Sequence, residues 1–106
     1  MIARSWRAVA TPAGADRYGE HFRTSVLADL RTTPGFLRAY LMFSPEGEEV
    51  GIHVLTLWES MDAIAGFAGA TPDLAVVEPE AVAALLRFDE SVHHSEATEF
   101  PRISRS

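Results

Sequence analysis

Cysteine is absent from the 106 residues, and so is lysine. Without cysteine there is no disulfide framework, no thiolate nucleophile and no sulfur ligand for a metal, and the chain suits a reducing compartment. The expected location is the cytoplasm. All nine cationic side chains are arginines, set against fifteen carboxylates for a net charge of −6. They form no basic cluster, so neither nucleic acid nor an anionic membrane is an expected partner. No stretch approaches the ~20 apolar residues of a membrane span. The first seven residues, broken by Arg4 and Arg7, hold no signal-like apolar segment. A glycine-rich phosphate loop, a nucleophile–base signature and metal-ligand spacing are also missing, which leaves phosphoryl transfer and hydrolysis poorly supported.

What is present is apolar and periodic. Hydrophobic residues make up 47% of the chain, which fits one globular domain over residues 1–100 with a short tail at 101–106. Residues 50–60 (VGIHVLTLWES) are the centre of the pattern. Read with period two, Ile52, Val54, Thr56 and Trp58 fall on one side, and His53, Leu55 and Leu57 on the other. A strand apolar on both sides belongs in the middle of a covered sheet.

The other elements fall around it. Residues 2–9 read as a first strand with Ile2, Arg4, Trp6 and Ala8 on one side. Thr11 and Pro12 start a helix over 12–31 whose stripe is Tyr18, Phe22, Val26, Leu27 and Leu30. Pro34 and Gly35 stop it, and residues 36–43 form a second strand, joined to the central one by a polar turn at 44–49. Ser60 caps a short helix bearing Met61, Ile64, Phe67 and Ala68. A helical turn at 71–73 and a helix from Glu78 through Val82, Leu85 and Leu86 follow. A last strand over 88–100 places Phe88, Val92 and His94 on one side.

This order is the ferredoxin-like split βαβ sandwich: an α+β fold with a four-stranded antiparallel sheet and helices on one face. The second face carries Leu55, Leu57 and half of strand two, and no element remains to cover it. Exposed large side chains cost several kcal/mol at ~25 cal/mol per Å² and mark association. A homodimer is therefore expected, two sheets facing each other as a dimeric α+β barrel.

The chain resembles the antibiotic biosynthesis monooxygenase (ABM) domain family of the dimeric α+β barrel superfamily. The residues that carry the likeness are Met1 to Arg4 with Trp6 and Arg7, the run LRTTPG at 30–35 leading into Ala39, Tyr40 and Leu41, and VLTLWES at 54–60. They continue with Ala63, Ile64 and Phe67 and end at VHHSE, 92–96. The resemblance implies a ligand pocket between helices and sheet. It implies one of several activities: oxidation of phenols without metal or flavin, heme binding and degradation, isomerisation or decarboxylation, or none. Trp58 corresponds to the pocket tryptophan at the end of the third strand, and His94 to a histidine frequent in the last strand. The asparagine of the first strand and the second-segment histidine of the heme degraders have no counterparts here.

The candidate site residues follow from both readings. His94 and Trp58 are the catalytic candidates, with His94 as base and Trp58 as wall and donor; Arg38, Tyr40 and Trp6 are the substrate-binding candidates. Each has a plainer account. Trp58 and Trp6 are equally core or interface residues. His94 with Glu96, two apart on a strand, is more simply a polar pair than a metal site. Arg38 and Tyr40 share one side of their strand and bind an anion only if that side faces inward. His53 is expected at the dimer seam, and His93 and His21 at the surface. The leading expectation is a cofactor-independent monooxygenase acting on a small hydrophobic, ionisable aromatic. The alternatives are a heme-binding or heme-degrading protein and a non-catalytic small-ligand binder.

Overall fold

A computed structural model describes residues 1–103. Its elements in order are β1 (Ile2–Ala10), α1 (Pro12–His21), a π-helical turn (Phe22–Val26), α2 (Leu27–Arg31), β2 (Phe36–Glu46), β3 (Glu49–Trp58), α3 (Met61–Ala68), α4 (Pro79–Ala84), β4 (Arg87–Phe88) and β5 (His93–Glu96). The sheet is antiparallel in the order β2-β3-β1-β4, with β5 also paired to β1. β3 and β1 lie in the middle as expected, and the helices cover one face only. Residues 104–106 of the expected tail lie outside the described residues.

Local chemistry sets the boundaries. Thr11 accepts a hydrogen bond from the Gly14 N–H at 3.0 Å, and Pro12 occupies the first turn of α1. Ser60 accepts from the Ala63 N–H at 3.1 Å and starts α3. The hairpin between β2 and β3 is tighter than expected, because pairing continues to Glu46 and Glu49 and Gly47 takes the positive φ of +63° that the turn requires.

Three expectations are corrected. The helix over 12–31 is continuous but widens through Phe22–Val26, where the Leu27 N–H reaches the Phe22 carbonyl. The Thr24 hydroxyl donates to the Glu20 carbonyl at 2.9 Å, replacing part of the ladder lost there. Residues 71–73 form no helix; the following loop runs beside residues 90–92 instead, with the Val92 N–H donating to the Asp73 carbonyl and the Ala75 N–H to the Glu90 carbonyl, both at backbone hydrogen-bond distance. That intrusion splits the expected last strand. β4 pairs at Ala8 and β5 resumes at Ser5, so the four residues 89–92 stand opposite two of β1, as in an enlarged bulge. α4 buries Ala81 and Ala84, while Val82 and Leu86 are exposed.

The core lies between helices and sheet. Trp6, Ala8, Ile52 and Trp58 come from the strands, Val92 from the break between β4 and β5, and Tyr18, Phe22, Leu30 and Ile64 from the helical segments. Across the sheet the register aligns Arg4 with Thr56 of β3 and with His94 of β5. These three residues make a polar row under the helical layer. The opposite face holds Arg38, Tyr40 and Met42 of β2 against Leu57, Leu55 and His53 of β3. No helix covers it, and Tyr40 and Met42 are 45% and 39% exposed.

Candidate functional site

Between the helical layer and the sheet lies a cavity of about 440 Å³ of atom-free space, counting its mouth. Its interior is tight, with about 50 Å³ open to the centre of a water molecule. β1 and β3 supply the floor through Arg4, Trp6, Val54 and Thr56, and the long helix supplies Tyr18, Phe22, Val26 and Leu30. Phe67 of α3, Ala75 and Val76 of the loop and Val92 close the rest. Phe22 and Val26 bracket the π-helical turn, a distortion that recurs at functional sites. The lining is mostly apolar and aromatic, the usual make-up of a small-molecule pocket.

Arg4 is the one ionised side chain in that lining. It is 6% exposed. One guanidinium nitrogen, Nη1, donates to the Pro72 carbonyl and lies 3.1 Å from His94 Nε2, and Nη2 donates to the Leu74 carbonyl at 3.0 Å. Arginine only donates, so His94 Nε2 accepts and the ring proton sits on Nδ1. That Nδ1 faces Asp73 Oδ1 at 3.3 Å. Three of the five guanidinium hydrogens are thus engaged, and two keep no acceptor among the described residues. No carboxylate touches Arg4, and Asp73 is itself 84% exposed on its side chain. Burial lowers the pKa of Arg4 from its ordinary value, partly offset by the field of Asp73. Among the described residues this buried cation is solvated by carbonyls but not neutralised by a carboxylate in contact.

Burial also lowers the pKa of His94, the neighbouring Arg4 charge adds to this, and Asp73 opposes it. His94 is therefore neutral at pH 7, and its lone pair is spent on Arg4. It is absent from the cavity lining and reaches the cavity only through the guanidinium.

Trp58 is fully buried, 0% exposed, with its ring against Phe36 and Phe67 at centroid distances of 5.4 and 5.8 Å. Its indole N–H donates to Thr56 Oγ1 at 2.8 Å. Trp6 lines the cavity, but its N–H is taken by the Asp89 carbonyl at 2.6 Å, so it offers a ring face and no donor. Tyr18 packs on Trp6 at 5.8 Å, and burial raises its phenol pKa, keeping it un-ionised.

Arg38 and Tyr40 stand apart from this group. β2 is apolar on both sides, so its pleat could not be oriented from composition, and the register shift between Phe36 and Arg38 sets it. Ala39 and Leu41 turn toward the helices, whereas Arg38 and Tyr40 turn to the open face and border a broad surface groove with Arg23 and Arg31. Arg38 pairs with Glu99 at 3.2 Å, both largely exposed. His53 lies on the same open face, 2.6 Å from the Ser5 hydroxyl. His93 is exposed. The His21 side chain is more buried than expected, with Nε2 3.7 Å from Glu78. None of the four histidines lines the cavity. It therefore presents no imidazole to a heme iron, and its tight interior suits one or two rings better than a macrocycle. No group of three acidic or histidine side chains among the described residues could hold a metal.

The fold is a ferredoxin-like α+β domain that encloses a small, mostly apolar cavity with one buried cation among the described residues. The chain belongs to the antibiotic biosynthesis monooxygenase family, whose sequence profile matches residues 1–99. Among solved structures it is similar to MhuD, a heme-degrader from Mycobacterium tuberculosis with two hemes bound, at 25% identity over 95% of this chain and 99% of that one, with a TM-score of 0.60. It is also similar to SnoaB, a cofactor-independent oxygenase from Streptomyces nogalater, at 13% identity over 96% and 98% of the two chains, with a TM-score of 0.60. A monooxygenase from the gene ActVA-Orf6 of Streptomyces coelicolor, in complex with nanaomycin D, matches at 22% identity over 99% and 91%, with a TM-score of 0.56. No curated protein sequence matches the chain. No helix among the described residues is long and apolar enough to cross a membrane.

Arg4 and Thr56 line the cavity and were not among the site residues expected from the sequence. The available signal was an arginine in alternation with Ile2, Trp6 and Ala8, on the side of a strand destined for the core.

Proposed function

We propose that this protein is a cofactor-independent monooxygenase for a flat aromatic of one or two rings that ionises at a ring hydroxyl. The observation that carries the reading is the buried Arg4, which lines an otherwise apolar and aromatic cavity and keeps two N–H donors without an acceptor among the described residues. A low-dielectric site with one fixed cation stabilises the substrate's oxyanion far more than water does, and it costs no reorganisation when the charge forms. The electron-rich anion is then what reduces dioxygen. One oxygen atom enters the ring as a carbonyl, and the other leaves as water with two hydrogens from the substrate. Arg4 is the anion-binding residue, Trp6 and Phe67 are the walls, and His94 holds Arg4 in place by accepting from it. Arg38 and Tyr40 belong to the interface in this reading. The uncovered sheet face supports a homodimer, with a second copy lying across Tyr40, Met42, Leu55 and Leu57.

Oxygen consumption with a panel of phenols, naphthols and hydroxynaphthoquinones tests the activity. Turnover of at least one member, lowered on the order of a hundredfold in Arg4→Met, is expected. Uptake that is indifferent to Arg4→Met, or that requires added heme, refutes the assignment.

A further inference from the structure

The polar row on the cavity floor contains a second donor, a hydroxyl held by a neighbouring indole. Thr56 sits beside Arg4 in the β1–β3 register and is 5% exposed. Its oxygen accepts the Trp58 indole N–H at 2.8 Å, and that indole is sealed from solvent and has no other acceptor. A threonine hydroxyl both donates and accepts. One of its two lone pairs is committed to the indole, and its hydrogen, more acidic for the bond it accepts, is left for the cavity. No acceptor among the described residues takes that hydrogen.

We infer that Thr56 is the specificity-determining residue of the cavity: it donates to the same anionic oxygen that Arg4 binds, and Trp58 acts through it as a positioning residue. This rests on the anion-binding reading of Arg4. It gives Trp58 a role that its burial would otherwise deny, since the indole influences a ligand it does not touch. It also states a preference. A carboxylate accepts from both Arg4 and Thr56 and carries the charge that strengthens both bonds, whereas an amide or alcohol of the same shape offers them only a neutral oxygen.

Naphthoate and its uncharged isostere naphthamide measure this preference by titration calorimetry on the intact protein. The wild type binds naphthoate more tightly. Thr56→Val, which keeps the shape and removes the hydroxyl, lowers the naphthoate-to-naphthamide affinity ratio by about tenfold, the worth of one hydrogen bond to a charged group. Thr56→Ser restores the ratio. Trp58→Phe, which removes the indole donor that holds the hydroxyl in place, also lowers it. A structural role alone would weaken both ligands together and leave the ratio unchanged. If Thr56→Val does not fold, the indole N–H resonance of Trp58 decides: it moves on adding naphthoate to the wild type, and a stationary resonance overturns the inference. Naphthoate binding that depends on Arg4 but keeps its ratio in Thr56→Val overturns the role of Thr56 alone. No binding by either ligand overturns this inference and the anion-site reading together.

Discussion

Tyr40→Asp is expected to separate the dimer without unfolding the protomer. Tyr40 pairs with Leu55 at the centre of the open sheet face and is 45% exposed in the single chain, so an aspartate there is readily solvated when the protomer is alone. In the proposed dimer the same position would be covered. Losing the buried tyrosine surface costs about 2 kcal/mol, and burying an unpaired carboxylate adds at least as much, about 2 kcal/mol or more. Two-fold symmetry counts each change twice. The total of about 8 kcal/mol weakens association by nearly six orders of magnitude. Sedimentation velocity at about 10 µM should then find a dimer for the wild type and an 11.6 kDa species for the variant, with unchanged circular dichroism. Leu86→Asp, at an exposed site away from this face, is the control and should leave the dimer intact. A wild type that sediments as a monomer, or a Tyr40→Asp protein as dimeric as the wild type, refutes the layer argument.

Other outcomes follow from the site and the turns. Protonation of His94 would set two cations 3.1 Å apart, and its folded pKa lies below its ordinary value of 6.5. The unfolded chain therefore takes up the proton first, so stability is full above about pH 7 and falls as the pH drops below that. His94→Gln should flatten that slope in thermal melts between about pH 5 and 7. It should not abolish it, because burial and the Arg7 charge also lower the pKa of His53; an unchanged slope contradicts the lone-pair assignment. Gly35 has φ +88°, and an added Cβ would meet the Ala63 Cβ at 2.4 Å. Gly35→Ala should cost about 1–3 kcal/mol in urea unfolding, and a neutral result would show that the turn can shift.

The fold was legible because its signals are local and redundant. Period two in residues 50–58, the Thr11 and Ser60 caps, and Pro34 with Gly35 each specify an element without tertiary help. The antiparallel order then follows from connection rules. The breaks were not legible. Nothing in residues 89–92 announces that they leave β1 for the loop at 73–75, because the partners lie far apart in the chain. The site was legible in one half. Alternation placed Trp58 and Thr56 on the helix side of β3, and Ile2, Arg4 and Trp6 together on β1. It could not orient Arg38 and Tyr40, because β2 is apolar on both faces and a register shift sets its pleat. Nor could it show that His94 spends a nitrogen on Arg4, since cross-strand register is not a property of either strand alone, or that the Trp58 rotamer turns its indole back to Thr56 two residues earlier.

The account depends most on where a small aromatic anion settles. A crystal structure with naphthoate bound tests this directly. The carboxylate is expected within hydrogen-bonding distance of the Arg4 guanidinium and the Thr56 hydroxyl, with the rings against Trp6 and Phe67. Naphthoate found instead beside Arg38 on the open face or in its neighbouring groove, with the cavity empty, would contradict it.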